Sequence, residues 1–235
     1  MNQIEWLKSN ISNEYQLVMQ LKGGEHCSVN SYCHNTFHKN IVVREFVGDS
    51  DVFQVLKTIQ RKNIEMIYDA VQEGDHTLVI EEFIDGKTLA DILQNRLFSE
   101  KETVSIIRQL CDALYVIHSQ GIIHRDIKPE NIMLDKNGVL KLIDFSAARL
   151  FKPYQPKDTQ VMGTIGFAAP EQFGEAQTDI RTDIYAAGIL MNVMLTGEHP
   201  SKQIYVGKLY KIIDKCIQPV PQKRYTSALK LKKAL

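Results

Sequence analysis

No run of about 18 apolar residues occurs anywhere in this chain, so no segment reads as a membrane-spanning helix. The N-terminus, Met1-Asn2-Gln3-Ile4-Glu5-Trp6, has no basic region followed by an apolar one and does not read as a secretory leader. Charge of neither sign dominates: 28 Lys and Arg balance 28 Asp and Glu, which removes the usual electrostatic pointers to nucleic acid or an anionic membrane. Cysteine is scarce. Cys27, Cys33, Cys111 and Cys216 form no CxxC pair and no zinc spacing, the pattern of free thiols in a reducing compartment, and a cytoplasmic protein is expected. Internal repeats and low-complexity tracts are also lacking. What remains is a chain of 235 residues, long enough for a sizeable core in one large domain or two small lobes.

The periodicity changes along the chain. Tyr15 to Leu21, Val29 to His34, Asn40 to Val47, Met66 to Val71 and Thr77 to Phe83 carry β-branched and aromatic residues between turn signals and read as strands. A short helix is expected over Asp51 to Gln60, and from Thr88 onward the pattern turns helical. Ser99-Glu100-Lys101-Glu102 is a capping box, opening a helix whose Ile106, Leu110, Ala113, Leu114 and Ile117 share one face and which Gly121 closes. His118 on that helix reads as structural. Further helices are expected over Asp183 to Thr196, Leu209 to Cys216 and Thr226 to Leu235.

The chemistry is concentrated in His124-Arg125-Asp126-Ile127-Lys128-Pro129-Glu130-Asn131 and Asp144-Phe145-Ser146. These read as a phosphoryl-transfer site: Asp126 to accept the proton of an attacking hydroxyl, Lys128 to neutralise charge on the phosphoryl group, Asn131 and Asp144 to hold magnesium. Between them lies a hairpin built on Asp135-Lys136-Asn137-Gly138, whose Asn-Gly pair suits positive backbone angles. Such chemistry depends on positioning and electrostatics, and the hairpin supplies a rigid frame.

With Asn131 five residues after Asp126, Asp144 thirteen after Asn131, and Ala169-Pro170-Glu171, Asp183, Gly188 and Arg224 beyond, the chain resembles the eukaryotic-like protein kinases, bacterial relatives included, from about residue 15 to the end. The resemblance implies an α+β, bilobal protein-kinase-like fold with a small antiparallel N-lobe (about 1–83), a hinge (about 84–87) and a mostly helical C-lobe (about 88–235) with shortened C-terminal helices. It implies ATP and Mg2+, with Mn2+ as a substitute, and a protein substrate offering a Ser or Thr hydroxyl. It also implies that Asp183 ties a buried helix to the catalytic loop and that Arg224 pairs with Glu171. Thr164 with Lys128 is the serine/threonine pattern, so tyrosine specificity is not expected. Thr159 and Tyr154 are candidate phosphorylation sites, with Arg125 and Arg149 to pair a phosphate; the alternative is an ordinary polar loop.

The first lobe departs from the family. Nucleotide contacts are implied for Lys22, Gly24 and Val29, yet of the family's glycine loop only Gly24 remains, with Lys22 and Cys27 at the outer positions. Arg44 stands where a strand lysine grips the phosphates, an exchange that is not conservative at a bidentate site. Val52 stands at the partner glutamate's position, with Asp49 and Asp51 nearby. Glu81 falls at the back of the adenine pocket, beside Glu82 and Ile84 of the hinge strand. A buried carboxylate there is costly alone, so either Glu81 pairs with Arg44 across adjacent strands or it faces solvent. Val42 would narrow the pocket above the adenine, and Met133 is a further implied nucleotide contact. Lys22 or Lys39 is a candidate surrogate for the missing lysine. Three classes stay open: an active serine/threonine kinase, a pseudokinase acting as a nucleotide-binding or regulatory scaffold, and a small-molecule kinase, which Lys128, Thr164 and Ala169-Pro170-Glu171 disfavour.

Overall fold

The structure, a computed structural model, describes residues 2–24, 27–151, 164, 166–173 and 177–235. The chain divides into two compact units, residues 1–61 with 65–85 and residues 62–64 with 86–235.

The first unit is one antiparallel sheet with two helices. Its strands β1 (Tyr15–Gly23), β2 (Cys27–His34), β3 (Asn40–Val47), β4 (Ile67–Glu73) and β5 (His76–Glu82) lie in the order β1-β2-β3-β5-β4. Side chains alternate across such a sheet, and the two faces are dressed differently. Ile41 and Val43 of β3 and Leu78 and Ile80 of β5 pack with Ile4, Leu7 and Ile11 of helix α1 (Gln3–Glu14). Val42, Arg44 and Phe46 alternate with them, and Phe46 lies 5.5 Å from Phe53 of α2 (Asp51–Leu56), centroid to centroid.

Helix α1 was not expected, although its signals are present. Asn2 accepts from the backbone of Glu5, whose carboxylate returns to the Asn2 amide, and Ile4, Leu7 and Ile11 follow at helical spacing. Helix α2 is shorter than the expected Asp51 to Gln60, because the Thr58 hydroxyl bonds back to the Val55 carbonyl at 2.8 Å, competing with continuation. Strand β1 extends to Gly23, beyond the expected Leu21, with two register shifts that place extra residues opposite β2.

The second unit is mostly helical. After β6 (Gly86–Thr88) and α3 (Leu89–Leu93), the long helix α4 (Glu100–Ser119) begins at the expected box of Ser99 and Glu102. Strands β7 (Ile122–Ile123), β8 (Ile132–Asp135), β9 (Leu140–Leu142) and β10 (Arg149–Leu150) follow; β6, β8 and β9 form one small sheet and β7 and β10 a ribbon. Gly86 is more than a hinge residue, since a Cβ there would collide with the Leu134 carbonyl on the neighbouring strand. Helix α5 (Ile180–Thr196) is buried on nearly every side and ends at Gly197 with φ 76°. Helices α6 (Tyr210–Cys216) and α7 (Ala228–Ala234) close the unit, and Gly188 has no room for a side chain beside Cys216.

The short connection after α5 is pinned by polar groups. Asn192, fully buried, donates to the carbonyls of Glu198 and Gln203 and accepts from the Tyr205 amide. Glu100 accepts from the Tyr205 hydroxyl and the Lys208 amide. Among the described residues no helix is long and apolar enough to cross a membrane.

Helix α1 contributes directly to the first unit's core. Replacing Ile11, 7 % exposed, with Ala should lower unfolding free energy by about 2–4 kcal/mol, measured by urea titration against the wild-type chain.

Candidate active site

In the second unit the buried carboxylate of Asp183 organises the loop that carries Asp126. Its oxygens accept from the His124 amide at 2.9 Å and the Arg125 amide at 2.8 Å, and His118 Nε2 lies 2.8 Å away. Burial pushes the Asp183 carboxyl upward, but the His118 contact, the neighbouring His124 and the backbone bond outweigh it and hold the group below the usual carboxylate value. With its amide so held, Arg125 adopts φ 65°, a left-handed conformation that a non-glycine residue keeps only when its surroundings over-determine it. Its Nε donates to the Ala147 carbonyl at 2.7 Å.

His124 links this loop to Asp144. It accepts from the Asp126 amide at Nδ1 (3.3 Å), faces the Ile143 carbonyl through Nε2 (3.2 Å) and packs edge-on against Phe145. One nitrogen accepting and the other facing a carbonyl is the pattern of a neutral imidazole protonated at Nε2. Burial lowers its pKa in keeping with that form, although Asp183, Asp126 and Asp144 oppose the shift.

The residues expected to be catalytic meet in one cluster. Thr164 Oγ1 donates to Asp126 Oδ1 at 2.7 Å and accepts from Lys128 Nζ at 2.7 Å. Lys128 Nζ lies 2.8 Å from Asp126 Oδ2, which also accepts from Asn131 Nδ2 at 2.8 Å. A second bond runs from Asn131 Nδ2 to the Asp126 carbonyl, 2.9 Å. These bonds commit the Asn131 amide nitrogen, leaving its carbonyl oxygen as the atom suited to a hard cation. The Ile143 amide donates to the Asn131 backbone carbonyl at 3.0 Å, which brings the start of the Asp144 segment alongside. Asp144, at φ 60°, accepts from the Ser146 hydroxyl through Oδ1 at 2.6 Å. Among the described residues no group of three or more His, Cys, Asp or Glu gathers around a metal position. One carboxylate and one carboxamide form the sparse oxygen set that Mg2+ takes when substrate phosphates supply further ligands.

The first unit holds the other predicted residues on its sheet. Arg44 and Glu81 form a buried two-armed pair, Nε to Oε1 at 2.7 Å and Nη2 to Oε2 at 3.3 Å, so Glu81 does not face solvent. The register explains it: Val42 is opposite Glu81 and Arg44 opposite Val79, which puts Arg44 and Glu81 diagonally on one face. Val52 of α2 is buried. Val29 lies opposite both Lys22 and Arg44 on its two neighbouring strands. Glu82 accepts from the Met66 amide at 3.0 Å, Ile84 is buried, and Gly24 is uncrowded, with 3.6 Å from an added Cβ to the Cys27 carbonyl. Lys39 is at the opposite end of β2 and β3 from the loop between Gly23 and Cys27; four strand residues, Asn40 to Val43, separate it from Arg44, a span of about 16 Å. That distance removes it as a surrogate. Met133, half-buried in the second unit, pairs with Thr88 and Lys141. Thr159, Tyr154, Gly163 and Ile165 lie outside the described residues.

Glu171 and Arg224 form a further buried pair, with Nη1 to Oε1 at 2.7 Å and Nη2 to Oε2 at 2.8 Å, and Thr182 donates to the same carboxylate. The residue after Glu171 carries no motif signal. Gln172 nevertheless accepts from the Ala169 amide at 3.0 Å and donates to the Arg125 carbonyl at 2.8 Å.

The family described as "Protein kinase domain" matches residues 15–231. A probable serine/threonine-protein kinase of Clostridium acetobutylicum is 28 % identical over 255 aligned residues, covering 93 % of this chain and 39 % of that protein. Serine/threonine-protein kinase pkn2 of Myxococcus xanthus is 33 % identical over 154 residues, 63 % of this chain and 19 % of its own length. Serine/threonine-protein kinase PknB of Mycolicibacterium smegmatis is 38 % identical over 131 residues, 54 % and 21 %. The chain thus spans well under half the length of these relatives.

The geometry generates two expectations for stability. Arg44→Met removes the two-armed partner of the buried Glu81 carboxylate and should cost about 3–5 kcal/mol, whereas Arg44→Met with Glu81→Leu should recover most of it; urea unfolding of the four-member cycle reads the coupling. Acid should act in two windows. His124 is lowered from 6.5, so its stabilisation is complete above about pH 6.5 and declines as pH falls, by up to about 1.4 kcal/mol per pH unit while only the unfolded chain binds that proton. Asp183 is lowered from 3.8; its stabilisation is complete above that value and is lost as pH falls through the folded one. Unfolding free energy measured from pH 8 to pH 3 should show both.

Proposed function

The chain belongs to the protein kinase family, and from that premise we propose that it transfers the γ-phosphoryl group of ATP to a Ser or Thr hydroxyl of a protein. The observation carrying this reading is the closed cluster of Asp126, Lys128, Thr164 and Asn131, which holds a carboxylate, a cation and a metal-suited oxygen in fixed relation.

Asp126 accepts the proton of the acceptor hydroxyl as that oxygen attacks phosphorus. The proton goes to a carboxylate oxygen, the bond to the bridging oxygen of ADP breaks, and the phosphate ends on the substrate. Asn131 fixes Asp126 through two bonds from one amide nitrogen, which keeps the acceptor oxygen aimed. Lys128 bridges Asp126 and Thr164 and supplies positive charge where the equatorial oxygens gain negative charge. Asp144 and the Asn131 carbonyl oxygen would hold Mg2+, or Mn2+ in its place, which would supply charge neutralisation to the triphosphate. Ser146 anchors Oδ1 of Asp144 and so limits its rotation. In the first unit, Arg44 supplies the positive charge of the nucleotide-binding face, with Val29, Val42 and Ile84 offering apolar contact to a base. Thr164 in contact with Lys128 supports a Ser/Thr rather than a Tyr acceptor.

A second reading, a nucleotide-binding scaffold without transfer, is favoured by the Arg44–Glu81 pair, since a guanidinium engaged with a carboxylate has less charge to offer a phosphate.

Transfer of labelled γ-phosphate from magnesium ATP to the chain itself and to a basic protein should occur with wild type. It should fall roughly 10²–10⁴-fold in Asp126→Asn, and to background in Asp144→Asn. Nucleotide-dependent thermal stabilisation with no label in any variant would overturn transfer in favour of the scaffold.

A further inference from the structure

Beyond the groups that meet substrate, the peptide bond joining Arg125 to Asp126 has an unusual restraint. Its N–H, on Asp126, donates to His124 Nδ1 at 3.3 Å, and its carbonyl, on Arg125, accepts from Gln172 Nε2 at 2.8 Å. The plane that aims Asp126 is therefore held from both sides. Gln172 is 3 % exposed, so its amide has little water to turn to, and its Oε1 is engaged by the Ala169 amide at 3.0 Å. Ala169 opens the 3-10 turn Pro170–Phe173, and its carbonyl accepts from the Gln172 amide at 2.9 Å. One planar side chain thus joins two segments 47 residues apart in sequence. Glutamine is suited because the position needs an acceptor and a donor on the same terminal group; an ionised glutamate supplies only the first.

We propose that Gln172 is a positioning residue that fixes the orientation of Asp126 relative to Ala169 and the 3-10 turn that follows it. The inference rests on the kinase reading for its catalytic consequence, and on the hydrogen bonds alone for its structural one. Arg125 at φ 65° has its amide on Asp183 and its Nε on Ala147. Without the bond from Gln172, the carbonyl of this strained residue loses the donor that fixes its orientation, and that of Asp126 is loosened with it.

Gln172→Glu and Gln172→Met of the full chain separate the possibilities. Glutamate keeps the acceptor for Ala169 but sets a carboxylate against the Arg125 carbonyl; protonation on acidification restores a donor, and burial raises the pH at which that happens. Methionine lacks both and cannot be rescued. Arg125 contacts the position and Glu171 precedes it; these, with His124, Asp126, Asp183 and Arg224, are shared by every variant, so each measurement is taken as a ratio to wild type at the same pH. At about pH 7.5 both variants should lose amide-exchange protection in 122–131, with α4 and α5 unchanged, and peptide phosphorylation should fall roughly 10–100-fold in kcat with little change in nucleotide KM. Towards about pH 6, Gln172→Glu should recover in both readouts and Gln172→Met in neither. Wild-type protection and turnover in both variants, equal loss of protection across α4 and α5, or no acid recovery of Gln172→Glu would overturn the proposal. A wild type that transfers no phosphate would overturn the kinase reading alone, and the exchange ratios would still decide whether Gln172 holds the loop.

Discussion

A single buried charge, the carboxylate of Asp183, sets the geometry on which the second unit's polar chemistry depends. An ionised group at such depth costs several kcal/mol unless it is met by donors, and here the donors are consecutive backbone amides and a histidine. The compensation has a direction. To bring two successive N–H groups to one carboxylate the chain must curl, and the curl appears as the positive φ of Arg125. The next residue is Asp126, so the constraint that stabilises the helix-borne carboxylate also aims the residue to which the proposed mechanism gives the central role. His124 extends the same logic to Phe145 and hence to Asp144.

The first unit meets the same cost by a different route. Arg44 and Glu81 lie on adjacent strands, and their contact is fixed by strand register, since a slip of one residue would send each to the opposite face. Helix α1 on the other face holds Ile41, Val43, Leu78 and Ile80, the residues that alternate with the pair. The apolar face therefore supports the register that the ionic face needs. Loss of packing under α1 and loss of the ion pair are two ways of weakening one alignment.

How much of this was legible follows from the kind of signal each feature leaves. Alternation in Asn40–Val47 and a desolvation argument raise an Arg44–Glu81 pair as one of two readings, because strand neighbours follow from period and register, and the structure decides between them. The cluster around Asp126 was legible as a motif, since its members are close in sequence except Thr164. Helix α1 lies ahead of the resembling region and its single-turn cap uses Asn rather than Ser or Thr, so its signal is weak although Ile4, Leu7 and Ile11 carry the correct spacing. Asn192 and Gln172 left no trace at all. Polar residues on a helix or in a loop read as solvated by default, and the partners of these two are backbone groups that no periodicity marks. The connection between Thr196 and Leu209 could be read as a shortened loop, but not that Asn192 and Glu100 hold it.

The same distinction bears on why arginine suits position 44. A lysine ammonium is a compact point charge, and pairing it with Glu81 would direct that charge at the carboxylate. A guanidinium has five N–H donors spread around a plane. Glu81 meets Nε and Nη2, one edge of that plane. The contact is two-armed, and the positive charge stays delocalised over the group. On the kinase reading, the substitutions at 44, 52 and 81 are then one change rather than three. The resemblance implies a carboxylate on the helix; the carboxylate that meets Arg44 here is Glu81 on the sheet, and Val52 of α2 is buried and apolar. Separately, each would be a defect in a phosphate-binding face; together they keep charge and burial balanced within a single unit.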